Sequence, residues 1–478
     1  MAGAAAALGH APFGLWPISL VGFAALAWMV AFGGRPALAG WSGGLGYFAL
    51  ALHWIVEPFM VDAATHGWMA PFALVLMASG LALFWGAAGW VSARLGGHRA
   101  ISWALCLAGA EMLRGHVLTG FPWVLPAYIW ADLDVRLMAA VVGPYGLTLL
   151  TLVLGSLVVM DRVFPRTRTI FLIGSLVVVT VIGSGLRSGE TELTDKVVRL
   201  VQPNAPQREK WDPELAHIFV ARALEYTAAP RNGVDLVVWP ETAIPYPLDI
   251  AGPVLSRIAA VSGGVPVFTG INRRTEEGDW YNSSALIDGD GRVAATYDKV
   301  HLVPFGEYIP MRIDLIRALA ATTGYGFTPG DSIRMIDTPL GRTVPLICYE
   351  AIFPRHSADL EGRQDYLLQI TNDAWFGTFS GPYQHLDQAR FRAVEQGLPL
   401  IRAANTGVSA VIDARGQVRE ALPLGEAGFI DAALPATLPP TPYSRTGDVP
   451  LAVILSVIIT TLFYRRRRNA IANRSPTS

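Results

Sequence analysis

A glutamate, a lysine and a cysteine lie at the ends of apolar segments, and these residue types together could perform nucleophilic catalysis. Glu241 follows the apolar run 237–240, Lys299 precedes an apolar stretch, and Cys348 ends the apolar run 344–348. The thiolate of a cysteine is the attacking species, and a nearby carboxylate can take the thiol proton as a general base. An ammonium group can stabilise the oxyanion that forms on the attacked carbonyl. The pattern therefore predicts an enzyme that passes through a covalent thioester.

The same residues also have structural interpretations. Glu241 could cap a helix or form an ion pair, Lys299 could be a solvated surface lysine, and an isolated buried cysteine is usually a small apolar residue. A cysteine–histidine dyad is another alternative, and the spacing does not select among its candidates His301, His356 and His385. The segments that surround these residues help to distinguish the catalytic interpretation from the structural one.

The chain is too apolar for an ordinary soluble protein. Of its 478 residues 52% are hydrophobic and 16% charged, and the mean hydropathy is +0.38. Lys and Arg (37) nearly balance Asp and Glu (38), so no basic surface for nucleic acid is indicated. Two cysteines are too few for a disulfide framework, and no CxxC or HExxH spacing is present. We therefore expect a membrane protein without a metal or cofactor.

The first part of the chain is a series of apolar segments. A bilayer span needs about 20 mostly apolar residues, and segments of this kind are 14–33, 38–58, 68–93, 100–118, 138–160 and 169–186. The stretch 1–10 is apolar but short, and it is either a clipped span or a stub that packs against its neighbours. A last apolar run, 449–464, precedes a cluster of arginines. These segments predict a polytopic helical bundle of about eight spans, the first one short, in residues 1–189 and 448–478.

Arginines near the ends of these spans indicate the orientation, because Lys and Arg in short loops stay on the cytoplasmic side. With the short stretch counted as the first span, one side receives Arg35, Arg94, Arg99, the loop 162–168 and the cluster 465–468, and only Arg136 disagrees. The region 190–447 then lies on the opposite, exoplasmic side, where we expect Lys210 or Arg231 to be accessible to reagents. An unpaired thiol in an oxidising compartment is a liability. Since Cys106 lies inside an apolar span and cannot reach it, Cys348 is better explained as a nucleophile.

Residues 190–447 have the pattern of an α/β domain. Short apolar runs bounded by turn residues predict the strands Val197–Val201, Val234–Val238, Val265–Thr269, Ser284–Asp288, Val344–Cys348 and Tyr366–Thr371. Asp212 followed by Pro213 predicts the start of a helix, and residues 384–396 predict another. Strands interleaved with helices favour a largely buried sheet.

Several of these segments resemble a known family. The runs 239–243, 298–307 and 348–350 are similar to motifs of the nitrilase superfamily. Because apolar segments flank them on both sides, the chain resembles the bacterial apolipoprotein N-acyltransferases, the membrane-bound branch of that superfamily. Further matching runs are 371–377, 445–447, 111–115 and 119–123.

The resemblance implies a fold and a set of roles. The fold is a four-layer αββα sandwich of the nitrilase type, carried by the helical membrane bundle. Glu241 would be the base, Lys299 the oxyanion stabiliser and Cys348 the nucleophile. Four further supporting or substrate-binding positions are implied at Trp211, Glu307, Tyr349 and Glu350.

The resemblance also implies a ping-pong acyl transfer. Cys348 would take an acyl chain from a membrane phospholipid and pass it to the α-amine of the diacylglyceryl-cysteine that begins an apolipoprotein. The implied location is the bacterial inner membrane, with the catalytic domain on the periplasmic side. One alternative is a membrane-anchored nitrilase-type amidase or hydrolase that uses water as the acceptor. A transporter or receptor is disfavoured because the spans carry few ionisable residues.

Overall fold

The computed structural model describes residues 1–159, 191–230, 233–309, 326–356 and 362–472. The chain forms two compact units, a helical unit made of Met1–Gly189 with Pro440–Ser478, and an α/β unit made of Glu190–Pro439. The predicted span 169–186, the arginine loop 162–168 and Arg231 lie outside the described residues.

The helical unit follows the apolar segments closely. Within residues 1–159, its α-helices are α1 (Ala2–Ala7), α2 (Trp16–Phe32), α3 (Pro36–Ala51), α4 (Glu57–Met60), α5 (Ala63–His66), α6 (Ala70–Ser92), α7 (Arg99–Arg114) and α8 (Ala139–Leu157). Proline in the first turn begins α2, α3 and α6, where its fixed φ suits the helix and its missing N–H costs nothing.

Three helical stretches among the described residues are long and apolar enough to cross a membrane: Ala63–Ser92, Asp134–Leu157 and Val449–Ile471. Trp16–Phe32 is apolar but shorter. The stretch 1–10 packs against its neighbours, since the Ser19 hydroxyl donates to the carbonyl of Ala6 and His10 hydrogen-bonds to Tyr47 at 2.6 Å.

A buried ion pair lies inside the helical unit. Arg114 and Glu111 are one helical turn apart on α7, with 2.5 Å between Nη2 and Oε2, and the Trp85 indole donates to Glu111 at 2.8 Å. Arg114 also donates to the carbonyl of Phe121. Charges at this depth are expensive unless paired, so this cluster fastens the segment after α7 to the bundle.

The α/β unit contains two six-stranded sheets. The strands are β1 (Leu193–Gln202), β2 (Val234–Val238), β3 (Val267–Arg274), β4 (Trp280–Ile287), β5 (Val293–Asp298), β6 (Ile336–Thr338), β7 (Gly341–Ile347), β8 (Tyr366–Thr371), β9 (Leu400–Ala404), β10 (Ser409–Ile412), β11 (Val418–Leu422) and β12 (Gly428–Pro435). The first sheet has the order β12-β1-β2-β3-β4-β5, and the second sheet has the order β11-β10-β9-β8-β7-β6.

Helices cover the outer faces of both sheets. Among its described residues, the α-helices of this unit are α9 (Ala216–Ala228), α10 (Gly252–Ser262) and α11 (Gly381–Gln396). One core, with residues such as Leu236 and Leu368, lies between the sheets. A second core joins α9 and α10 to the first sheet, and a third joins α11 to the second sheet. The layers are therefore helix, sheet, sheet and helix, as predicted.

All six predicted strands are present, with ends shifted by up to a few residues. The strand β7 ends at Ile347, so Cys348 belongs to the short 3₁₀ helix Cys348–Ile352 and not to the strand. The predicted helix start at Asp212 is early, because residues 212–215 form turns and α9 begins at Ala216. After the α/β unit the chain returns to the helical unit as α12 (Pro442–Thr446) and α13 (Val449–Ala472).

Parallel pairing brings chemically active residues to common edges. Strands β1, β2 and β3 are parallel neighbours in the first sheet, and β7, β8 and β9 are parallel neighbours in the second. The carboxyl ends of parallel strands meet at one edge, which is where α/β folds place their sites. Glu241 comes just after β2, Cys348 directly follows β7, and Asn372 directly follows β8.

Candidate active site

Cys348 occupies a sharp bend between strand and helix. Its side chain is buried, with 5% of the residue exposed, and its φ is +52°, a left-handed conformation that is costly for a residue other than glycine. The backbone oxygen of Cys348 contacts His385 Nε2 at 3.1 Å and Gln369 Nε2 at 3.4 Å. Surrounding contacts therefore hold the nucleophile candidate in a strained conformation.

Glu241 is a buried carboxylate with two donors of its own. The Asn282 side chain donates to Oε1 at 2.7 Å, and the backbone N–H of Asn372 donates to Oε2 at 2.8 Å. The main chain of Glu241 lies directly on β3 at Gly270, where a Cβ would be 2.5 Å from the Glu241 Cα. The carboxylate is thus fixed both through its side chain and through its backbone.

Lys299 lies between two carboxylates. Its Nζ is 2.9 Å from Glu307 Oε1 and 3.7 Å from Glu241 Oε1, and only 1% of the residue is exposed. Glu307 also accepts from Asn282 at 2.8 Å and from the Val303 N–H at 2.7 Å. The residues Glu241, Lys299, Glu307 and Asn282 therefore form one buried network.

The surroundings raise the pKa of both the Cys348 thiol and the Lys299 ammonium, but for different reasons. Burial raises the pKa of the Cys348 thiol well above its ordinary value, Glu241 acts in the same direction, and Lys299 opposes both. Burial acts to lower the pKa of Lys299, but the charges of Glu307 and Glu241 outweigh burial and raise this pKa above its ordinary value. Near neutral pH the resting thiol is therefore protonated, and Lys299 is a cation. Attack by the sulfur then needs a base to take its proton.

Glu350 connects the loop of Lys299 to the bend at Cys348. Its carboxylate accepts from the backbone N–H groups of Val300 (2.7 Å), His301 (3.1 Å) and Ile347 (2.8 Å). Burial raises the pKa of Glu350, and the backbone donors oppose this shift. One side chain thereby sets the distance between the segments that carry Lys299 and Cys348.

The three candidate histidines are engaged elsewhere. His301 and His356 contact each other at 3.1 Å between their Nδ1 atoms, and His356 Nε2 is 3.0 Å from the Tyr297 hydroxyl. His385 contacts Asp373 Oδ1 at 2.9 Å through Nδ1 and the backbone oxygen of Cys348 through Nε2. Both ring nitrogens of His385 thus have partners other than the sulfur.

The remaining predicted positions surround this network. Glu307 belongs to it, whereas Tyr349 is buried and makes an edge contact with Phe353. Trp211 is 43% exposed. The expectation that Lys210 is accessible is wrong, because only 5% of it is exposed and its ammonium points into the protein interior at Glu241.

Sequence reasoning missed several residues of the site. Asn282 donates to two carboxylates, and nothing in its strand sequence marks it. A second buried cluster joins Asp373, His385 and Arg402, in which Arg402 forms an ion pair with Asp373. Burial acts to raise the pKa of Asp373, but the charge of Arg402 and the contacts with His385 lower it to about 2. The only sequence feature that pointed to this cluster was the run 371–377, which resembles a family motif and contains Asp373. It did not identify His385 or Arg402 as partners of Asp373.

The sheets and the site define the class to which the α/β unit belongs. The carbon–nitrogen hydrolase family model matches residues 197–443. A second model, the apolipoprotein N-acyltransferase N-terminal domain, matches residues 2–157. A solved CN-hydrolase superfamily protein from Xanthomonas campestris is 21% identical with a TM-score of 0.38, covering 50% of this chain and 90% of its own, a likeness too weak to carry an argument.

Similarity to named relatives extends over nearly the whole of this chain. An apolipoprotein N-acyltransferase from Rhodopseudomonas palustris is 39% identical over 98% of this chain and 94% of its own. A protein of the same name from Bradyrhizobium diazoefficiens is 38% identical over 99% of this chain and 95% of its own. The chain belongs to the apolipoprotein N-acyltransferase family.

Proposed function

We propose that this protein N-acylates the diacylglyceryl-cysteine at the N-terminus of apolipoproteins, with a membrane phospholipid as the acyl donor. The observation that carries the proposal is the buried Cys348 at the end of β7, which Glu350 ties to the loop of Lys299, whose ammonium lies between Glu241 and Glu307. Family membership over the whole chain supports the acceptor, and the apolar helices support a substrate that resides in a membrane.

In the first half-reaction Cys348 forms a thioester. Glu241 takes the thiol proton while the sulfur attacks the ester carbonyl carbon of the phospholipid, and the resulting oxyanion is stabilised by the Lys299 ammonium. When the ester C–O bond breaks, Glu241 returns the proton to the departing lysophospholipid oxygen. The raised pKa of Lys299 supports this role, because the ammonium stays charged throughout.

In the second half-reaction the thioester is cleaved by an amine. The α-amine of the acceptor attacks the thioester carbonyl, the C–N bond forms and the C–S bond breaks. Glu241 carries the proton lost by the amine to the departing sulfur. The cycle ends with an amide on the lipoprotein and a neutral thiol on Cys348.

The supporting positions divide into two groups by their contacts. Glu307 holds the Lys299 ammonium, and Glu350 holds the segments on either side of the nucleophile. Tyr349 contributes the peptide N–H that follows Cys348 and lies near the developing oxyanion. Trp211, with its exposed ring, is proposed to contact lipid substrate.

We further propose a multi-pass protein of the bacterial inner membrane with about eight spans and with residues 190–447 in the periplasm. The alternating arginines support this orientation. Because Lys210 is buried, exposed Glu209 is the better site for a label. A Glu209→Cys variant should react with reagents added outside the inner membrane, and Arg467→Cys should react only from inside. The reverse pattern contradicts the orientation.

The decisive experiment for the function compares transfer with hydrolysis. The purified protein is incubated with phospholipid, with and without a peptide that begins with diacylglyceryl-cysteine. We expect the peptide to gain one fatty acyl group in amide linkage, while little free fatty acid is released in its absence. Rapid release of free fatty acid without any acylated peptide would instead establish the hydrolase alternative.

A further inference from the structure

A second buried lysine, Lys210, lies beside the candidate site and takes no part in the mechanism above. Its Nζ donates to the backbone oxygen of Glu241 at 2.9 Å and to the Thr242 hydroxyl at 2.6 Å. Only 5% of the residue is exposed. Both acceptors are neutral, so the hydrogen bonds to Lys210 include no carboxylate oxygen that would neutralise its charge.

Burying an ammonium with neutral acceptors is costly, and the cost appears in its protonation. Burial lowers the pKa of Lys210 to about 8, with Glu241 and Cys348 opposing the shift. These two groups act on Lys210 from neighbouring elements, whereas Arg208 and Glu209 on its own loop are exposed to solvent. Burying the Lys210 ammonium costs free energy, and the ammonium lies close to the base and the nucleophile. We therefore expect Lys210 to have a role beyond packing.

The turn at Glu241 and Thr242, which Lys210 contacts, has an unfavourable backbone conformation. Thr242 has a φ of +46°, which is unfavourable for a β-branched residue. The turn also lies against Gly270, where a Cβ would be only 2.3 Å from the Thr242 nitrogen. Lys210 bridges the carbonyl of Glu241 and the hydroxyl of Thr242 across this turn. The bridge therefore helps to keep the turn in the one conformation that directs Glu241 into the site.

The loop that carries Lys210 is itself fastened to the site. The Asn372 side chain donates to Gln207 at 2.7 Å, and Asn372 is the residue whose backbone donates to Glu241. Asn405 holds the backbone of Ala205 through two hydrogen bonds of 3.0 and 2.8 Å. These hydrogen bonds hold the loop in place, and the Lys210 ammonium is therefore already positioned at the turn of Glu241.

We propose that Lys210 is a positioning residue for acyl transfer: its ammonium fixes the main chain of the base Glu241 and supplies a second positive charge to the Glu241–Cys348 pair. This inference rests on the proposed function, since it assigns Lys210 to the base of that mechanism. The charge keeps Glu241 ionised and therefore able to accept a proton, and it also stabilises the thiolate of Cys348 once it forms. Lys210 touches no reacting atom.

The test measures formation of the acyl-enzyme from phospholipid alone, so that the acceptor amine does not contribute to the pH dependence. Lys210→Met removes the charge and the donors at similar volume, and Lys210→Arg restores both. Thr242→Val removes one acceptor and leaves the lysine in place. Arg208→Ala, an exposed position on the same loop, is the matched control. Each variant is assayed from pH 6 to pH 10, together with the alkylation rate of Cys348 by iodoacetamide.

We expect Lys210→Met to slow acylation about tenfold to a hundredfold, the effect of losing a charge-assisted hydrogen bond, and to slow alkylation of Cys348 as well. Wild-type acylation should decline as the pH rises through the pKa of Lys210, whereas Lys210→Arg should keep its rate at higher pH. Thr242→Val should show a smaller loss in the same direction. If wild type is acylated and Lys210→Met matches it in rate and pH profile, the inference is wrong. Failure of wild type itself to form an acyl-enzyme overturns the proposed function instead.

Discussion

The two sheets of the α/β unit contribute to the candidate site in different ways. The first sheet supplies charged side chains, Glu241 after β2 and Lys299 after β5, and they are linked to one another through Asn282 and Glu307. The second sheet supplies the nucleophile Cys348, which is held through its backbone in a left-handed conformation.

This difference indicates how the protein divides its tasks. On the first sheet, each charged group stabilises the others, so the network can remain charged although it is buried. On the second sheet, a rigid bend keeps a neutral thiol in place until a base from the first sheet removes its proton. Catalysis therefore depends on the two sheets together, and variants that affect only one of them test this division.

The largest effect is expected from removing the nucleophile of the second sheet. Cys348→Ala should reduce acyl transfer by about 10⁴-fold or more, because loss of a covalent nucleophile removes the whole pathway. Transfer of radiolabelled acyl chains is the measurement, with circular dichroism to show that the protein remains folded. The matched control is Cys106→Ala in α7, which should retain activity. Normal transfer by the Cys348 variant would exclude the thioester.

The next largest effect is expected from the first sheet. Glu241→Gln keeps the shape of the side chain but cannot accept the thiol proton, so acylation should fall by about 10²- to 10⁴-fold. Single-turnover formation of the acyl-enzyme is the measurement. Glu225→Gln, an exposed change on α9, serves as the control. If both variants acylate at the wild-type rate, another group takes the proton and the division between the sheets is wrong.

A smaller effect should follow from displacing the base without changing its chemistry. In Gly270→Ala the added Cβ would meet backbone atoms 2.3 Å away at Thr242 and 2.5 Å away at Glu241, so the turn must shift. A displacement of this kind should lower the acylation rate by about 10²-fold. Gly252→Ala, where a Cβ meets nothing within 4 Å, should be silent. Equal rates for the two variants would show that the position of the turn is not critical.

The smallest effect on chemistry, and the clearest on stability, is expected at Asp373. Its pKa of about 2 is below the ordinary value of 3.8, so the ionised form stabilises the folded state above pH 4 and this contribution is lost as the pH falls towards 2. Asp373→Asn should therefore cost about 2–3 kcal/mol near neutral pH, and the difference should shrink below pH 4.

Thermal unfolding of the full-length protein in detergent measures this difference as a function of pH. Asp290→Asn, in an exposed pair with Arg292, is the control and should change the unfolding temperature little. A constant difference between wild type and Asp373→Asn across this pH range would show that Asp373 does not act through its charge.

The sequence predicts the strands better than it predicts the connections between them. Val234–Val238 and Tyr366–Thr371 match β2 and β8 residue for residue, because strands buried on both faces have continuous apolar runs bounded by turn residues. The edge strand β11 was missed, since most of its residues are exposed and its sequence is polar. Six of the twelve strands were not predicted, and they include β9 and β10, which lie inside the second sheet and are fully buried. Burial alone therefore does not make a strand recognisable from its sequence.

The same limit applies to the site. Glu241, Lys299 and Cys348 could be identified because each ends or precedes an apolar run, and the resemblance added their roles. The link through Asn282 joins residues 41 and 25 positions away along the chain, and it depends on how β4 lies in the sheet. Burial of Lys210 likewise depends on a loop folding over Glu241. Contacts between distant segments leave no periodicity in the sequence from which they could be predicted.

The central claim is that the sulfur of Cys348 carries an acyl chain between two lipids. Mass spectrometry of the protein after incubation with a phospholipid of defined acyl chains tests this claim most directly. The account predicts that the peptide containing Cys348 gains the mass of one acyl group, that hydroxylamine removes it, and that a diacylglyceryl-cysteine peptide discharges it. Transfer to the acceptor with no added mass on Cys348 at any time in a single turnover would contradict the account.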